Sequence, residues 1–246
     1  KLKKIYIQMV CLSAKIWLVE EIGATTHGAE IPLPKIEKGN TSYDSSTQTV
    51  YIQDSDTYDI DVILHELDHH FMHKKDGWNL PGGRHAPSDH LTNKQLAWSE
   101  GWATFSACAK QKKSTYKDVE PGNNDDIDWN LENDSIRYGE RSPWRKIPGG
   151  ADVEGAVAGI LWDLFDGAAT GTADKDRDGV SIPFKCIWKA INKDSDPAAV
   201  KNPARTIEEF YKHLENILKN DKDCKNLGVN LNKVKKIFQD HGVSVS

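Results

Sequence analysis

From Ile60 to Met72 the chain repeats apolar residues at helical spacing, and inside that repeat it sets His65, Glu66, Leu67, Asp68 and His69. Ile60, Val62, Ile63, Leu64, Leu67 and Phe71 leave the segment little polar surface, so it reads as a buried helix. Residues four apart on a helix differ by about 40° of rotation and about 6 Å of rise, so His65 and His69 project from one face. Two imidazoles so placed can share one metal ion, and buried histidines need partners of some kind. Glu66 is then in reach of a water on that ion, an arrangement suited to metal-assisted hydrolysis with Glu66 as catalytic base.

The rest of the chain bounds what that helix can belong to. At 246 residues it can bury a sizeable core and hold a cleft between two lobes. A net charge of −5, with lysines and acids interspersed, gives no basic stripe, so nucleic acid is not an expected partner. No run approaches the eighteen or so apolar residues of a membrane span. Lys1 to Lys4 followed by Ile5 to Ala14 looks superficially like a secretory signal. However, Gln8 interrupts the run, and Ile16, Trp17, Leu18 and Val19 continue it past Lys15, so an amphipathic helix packed on the body is expected. Cys11, Cys108, Cys186 and Cys224 form no CxxC pair and leave open up to two disulfides or plain buried thiols.

Along the chain, Gln8 to Ile22 reads as a helix closed by Gly23, with a turn around Thr25 to Gly28. Ala29 to Ile36, with prolines at 32 and 34, suggests an edge strand, punctuated by Gly39-Asn40. Thr47 to Gln53 alternates β-branched and aromatic residues and reads as a strand to which an extended substrate could add. Asp56 or Thr57 is the expected N-cap of the histidine helix, which should end near Lys74 or Lys75. Trp78 to Asp89, with Pro81-Gly82-Gly83 and Pro87, must be a loop. Leu91 to Lys112 is helical again. Ser114 to Gly150 reads as irregular cover over the cleft, anchored by Tyr138 and Trp144. Val153 to Phe165 is an apolar helix with a small face at Gly155, Ala158 and Gly159. Helices follow at about Pro183–Asn192, Ile207–Asn220 and Asn230–His241, the middle one with a capping box at Thr206 and Glu209.

A catalytic zinc takes three protein ligands. Glu100, set among Trp98, Gly101, Trp102 and Ala103 on the second helix, is the leading candidate for the third, and Gly101 would let that helix approach the histidine-bearing one. His85 and His90 in or beside the glycine-rich loop are rivals, while His73 shares the face of His69 only loosely and His70 points away from it. Elsewhere, Asp174, Asp176 and Asp178 before Gly179 have the opening spacing of a calcium loop. Lys185 replaces its closing glutamate, which leaves a solvated acidic turn or a partial Ca2+ site.

On His65-Glu66-Leu67-Asp68-His69 and Ser99-Glu100-Gly101-Trp102-Ala103, the chain resembles the gluzincin-type zinc metallopeptidases, the thermolysin-like group. The resemblance covers about a quarter of the chain and implies Zn2+ on His65, His69 and Glu100, with Glu66 as general base. It also puts Thr47 to Gln53 in the place of the substrate-binding edge strand. Two features depart from the group. The interval from His69 to Glu100 is long, which fits an insertion at Trp78 to Asp89, and Thr104 stands where an acidic residue would orient a zinc histidine. Tyr138 and His85 are candidate oxyanion donors.

The expected architecture is α+β and zincin-like. Residues 1–112 form an N-terminal lobe with a short β-sheet, the histidine helix and the Glu100 helix. Residues 113–246 supply irregular cover and a mostly helical C-terminal lobe, within one catalytic unit. The expected activity is zinc-dependent hydrolysis of peptide bonds in a protein or peptide substrate, by a monomer in an extracytoplasmic or secreted setting. A catalytically inactive zincin-fold binding module and a hydrolase of non-peptide amides are the alternatives.

Overall fold

In a computed structural model of the chain, the described residues are 2–22, 32–76, 80–119, 126–139, 141–168, 170–175, 178–191 and 203–246. They form an α+β fold with seven α-helices and two small sheets. Helix α1 (Leu2–Ile22) starts six residues earlier than expected and buries Ile7, Cys11, Ala14, Leu18 and Ile22 against the body. Gly23 and the turn at 25–28 lie outside the described residues.

The first sheet joins β1 (Lys35–Lys38), β2 (Ser42–Asp44) and β3 (Thr49–Ile52) in the order β1-β3-β2, with β1 parallel and β2 antiparallel to β3. Of the edge strand expected at 29–36, only 35 and 36 fall in β1; 32–34 have no regular structure and 29–31 lie outside the described residues. The Thr47–Gln53 run does form a strand, but β3 is the centre of the sheet rather than its edge. Its alternation of β-branched residues reflects burial between two neighbours, with Val50 and Ile52 in the core. The edge that faces the cleft belongs to β2.

Helix α2 (Ile60–Asp76) carries the histidines. Its cap is Asp59, whose Oδ1 accepts the N–H groups of Asp61 at 3.1 Å and Val62 at 3.3 Å. Asp56 and Thr57, expected as caps, sit in a 3-10 turn, and Asp56 accepts instead from Thr41 Oγ1 at 2.5 Å. Helix α3 (Lys94–Gln111) begins at Asn93, whose side chain accepts the Gln95 N–H, and is buried continuously from Leu96 to Ala109. A helix hidden on every side must be surrounded by other elements, and α3 is the middle layer between α2 and α4 (Glu154–Phe165).

The close approach permitted by Gly101 is to α4 rather than to α2. A Cβ at Gly101 would lie 2.6 Å from Val157 Cγ1 and 2.8 Å from the Glu154 carbonyl oxygen. On the other side α2 and α3 are tied by the buried pair Asp68–Lys110 at 2.5 Å. The Lys110 ammonium also donates to Ser106 Oγ and stands 5.2 Å from the centre of the Trp17 ring of α1. Burial pulls the Lys110 pKa below its usual value, and Asp68 opposes that. Removing either partner would strand a charge in the core.

Residues 114–150, expected to be irregular, contain an antiparallel sheet. Its strands are β4 (Thr115–Asp118), β5 (Ile127–Asn130), β6 (Ser135–Tyr138) and β7 (Arg145–Lys146), in that order. Tyr116, Trp129 and Ile136 stand opposite one another across the first three strands and are buried. They anchor the region, whereas Tyr138 and Trp144 are 37% and 46% exposed. Trp144 lies 5.1 Å beneath the Arg137 guanidinium.

Three helices close the chain: α5 (Phe184–Ile191), α6 (Ile207–Asn220) and α7 (Leu231–Asp240). Thr206 accepts the Glu209 N–H, and the Glu209 carboxylate reaches back to Arg205 N at 2.8 Å, one residue before the expected partner. Cys186 and Cys224 form a disulfide, while Cys11 and Cys108 are buried free thiols. The buried apolar residues of both halves of the chain make one continuous cluster.

Candidate metal centre

Helices α2 and α3 bring three donor atoms to one point. His65 Nε2 and His69 Nε2 each lie 3.0 Å from Glu100 Oε2 and 3.1 Å from one another. His65 and His69 meet because they are one helical turn apart, and Glu100 meets them because α3 packs directly on α2. All three residues are buried. Among the described residues this is the single group of three or more His, Cys, Asp or Glu whose ligand atoms all lie within 4.8 Å of one another. A set of two imidazoles and one carboxylate, open on one side to a cleft, matches the donors of a catalytic zinc and leaves the position such a site keeps for water.

The electrostatics follow from packing three polar groups into a dry place. Burial pushes the Glu100 carboxyl up, but the charges and hydrogen bonds of His69 and His65 outweigh it and hold the pKa well below the usual carboxylate range. Burial lowers the pKa of His69, yet the Glu100 charge and hydrogen bond raise it to about 9. A metal ion would compete with a proton for this ring, so affinity should rise with pH. The other nitrogen of His65, Nδ1, is hydrogen-bonded to Thr104 Oγ1 at 3.1 Å, and the ring is the donor whenever Nε2 serves as a ligand. Thr104, which stands where an acidic residue was expected, thus fixes the ring with a neutral hydroxyl. His69 Nδ1 is buried with no partner among the described residues.

Glu66 lines a cleft of about 590 Å³ that also takes in His65, His69 and Glu100. Desolvation raises the Glu66 pKa above its ordinary value, against the lowering influence of His65 and His69. One wall of the cleft is the edge of the first sheet, at Thr41, Ser42 and Tyr43. The second sheet also lines it, at Tyr116, Ile127 and Trp129. The Tyr116 ring packs against that of His65 with centroids 6.0 Å apart.

The other candidates fall in distinct places. His85 lines the cleft, donating Nδ1–H to Glu154 Oε2 at 2.8 Å while its Nε2 stands 3.7 Å from Glu100 Oε2. The Glu154 hydrogen bond, opposed by partial burial, raises His85 to about 9. His85 is not part of the converging ligand set. His70 donates to the Pro32 carbonyl at 2.7 Å, the Tyr43 hydroxyl lies between His70 and His73, and His90 pairs with Asp152. None of these three faces the ligand triangle. Tyr138 is on β6 and does not line the cleft. Asp174 Oδ2 accepts the Gly179 N–H and Asp178 Oδ1 accepts the Val180 N–H, while Asp176 lies outside the described residues.

Glu154 and Tyr116 join the cleft without having stood out in the sequence. Glu154 is 69 residues from the histidine it holds. Its one local signal is that it is the charge opening a helix that is apolar apart from Asp163.

The family model of the mycolysin C-terminal domain matches residues 21–229, and the chain belongs to that family. The family places it in a metallopeptidase context. No curated protein and no solved structure matches it. No helix among the described residues is long and apolar enough to cross a membrane.

Proposed function

We propose that this chain is a zinc-dependent metalloendopeptidase domain of zincin-like fold. The observation that carries the proposal is the convergence of His65 Nε2, His69 Nε2 and Glu100 Oε2 to within 3.1 Å, on the wall of a cleft that also exposes Glu66. Zinc held by these three residues would supply a Lewis acid that acidifies water and polarises a carbonyl. Glu66 takes up the proton at its carboxylate, a task its raised pKa suits, and returns it to the leaving amine. His85, held by Glu154 and lining the cleft with Nε2 3.7 Å from Glu100 Oε2, is the candidate donor to the oxyanion. The β2 edge, with Ser42 and Tyr43 on the cleft, takes an extended substrate by strand addition. The Cys186–Cys224 disulfide fits an extracytoplasmic setting.

The second reading is a non-catalytic module, which the family's standing as a C-terminal domain favours. A purely structural zinc has no use for Glu66. Glu66→Gln separates the two readings: zinc should remain near one per chain while casein cleavage falls by roughly 10²–10⁴-fold, the usual weight of a general base. Equal cleavage by both proteins, or none by either, would sink the catalytic reading.

A further inference from the structure

Helix α1 carries two apolar stripes, and the fold buries only one of them. Ile7, Cys11, Ala14, Leu18 and Ile22 face the core. On the other side Leu2, Ile5, Met9, Leu12 and Ile16 are 80%, 43%, 63%, 51% and 50% exposed. Single exposed apolar residues are ordinary, but a continuous row on one helix face marks an interaction surface. The spacing alternates three and four residues without a break, which assigns Leu2, Met9 and Ile16 to heptad a positions and Ile5 and Leu12 to d positions. The stripe is also narrow, being flanked by Gln8 and Lys15 on one side and by Tyr6, Ser13 and Glu20 on the other. A seam of this width fits one helix against another, whereas a helix lying among lipid headgroups needs a broad apolar face.

We infer that this seam pairs two copies of the chain, α1 against α1, in parallel across a two-fold axis. The seam is self-complementary, as an isologous contact requires. Charge selects the direction. In a parallel pair each g residue meets the e residue five positions further on in its partner, which sets Lys15 against Glu20 twice by symmetry. Antiparallel packing sets g against g and e against e, turning Lys15 toward the Gln8 and Lys15 side and leaving Glu20 with no cation opposite. Neither Lys15 nor Glu20 makes an ion pair among the described residues. From Leu2 to Ile16 the seam covers little more than two heptads, and a contact of that length is weak on its own. Its ordering cost is small because the inner stripe already holds α1 as a helix. The monomer expected from the sequence becomes one side of a concentration-dependent equilibrium. The inference is independent of the peptidase reading.

Sedimentation velocity on the full chain, over a dilution series reaching high micromolar concentration, tests it. The unmodified protein should pass from monomer to dimer, and Met9→Glu combined with Leu12→Glu should stay monomeric with unchanged circular dichroism. Lys15→Glu and Glu20→Lys should each weaken the dimer, and the two together should restore it. A protein that is monomeric throughout overturns the inference, as does a dimer that survives the seam substitutions. Failure of the double reversal to restore pairing overturns the parallel arrangement. Binding to vesicles of anionic phospholipid without dimer formation overturns it in favour of a membrane surface.

Discussion

The cluster of His65, His69 and Glu100 and the loop from Asp174 to Gly179 both carry metal-ligating residue types at suggestive spacing, but the fold treats them differently. In the cluster, two helices aim three buried donor atoms at one another on the wall of the cleft. In the loop, Asp174 and Asp178 each give an oxygen to a backbone N–H of the turn itself. Spacing brings ligand types together in sequence in both cases. Only the packing of a second element supplies convergence, and α3 does this for the histidines.

The largest effect that could break the comparison comes from deleting a converging donor. Glu100→Ala should abolish stoichiometric zinc and with it casein cleavage, while Asp174→Asn should leave both unchanged and calcium should not shift its melting temperature. Metal analysis and calorimetry check this, and a calcium-dependent rise in melting temperature lost in Asp174→Asn would erase the distinction. A smaller effect is expected one step outward. Thr104→Val removes the acceptor for His65 Nδ1–H, and zinc affinity measured by competition with a chelator should fall about 10–100-fold. The smallest is mechanical. Gly101→Ala inserts a Cβ within 2.8 Å of Val157 and of the Glu154 carbonyl, and urea unfolding should show a loss of about 1–3 kcal/mol. An unchanged midpoint would mean that α3 and α4 are not held at the spacing described.

What could be read from the sequence follows the range of the interactions. The histidine helix was legible because its period and its ligand spacing are both local. Helices α6 and α7 matched closely because Thr206 and Asn230 cap them within two or three residues. Glu100 could be singled out because a carboxylate set among tryptophans is costly to bury without a partner. The second sheet was not legible, since its strands are four residues or fewer and their shared face of Tyr116, Trp129 and Ile136 exists only once the strands are aligned. The central place of β3 depends likewise on where β1 and β2 dock, so its strand pattern alone does not distinguish an edge from a centre. The cap falls at Asp59, a few residues beyond Asp56 and Thr57, because a 3-10 turn intervenes. The hold of Glu154 on His85 bridges an interval that no periodicity spans.

X-ray absorption at the zinc edge of the purified chain tests the central claim most directly. The account predicts two imidazole nitrogens and light oxygen donors at about 2.0–2.2 Å, with no sulfur. A zinc–sulfur shell at about 2.3 Å, which would point to Cys11 or Cys108, or a chain that binds no zinc, would contradict it.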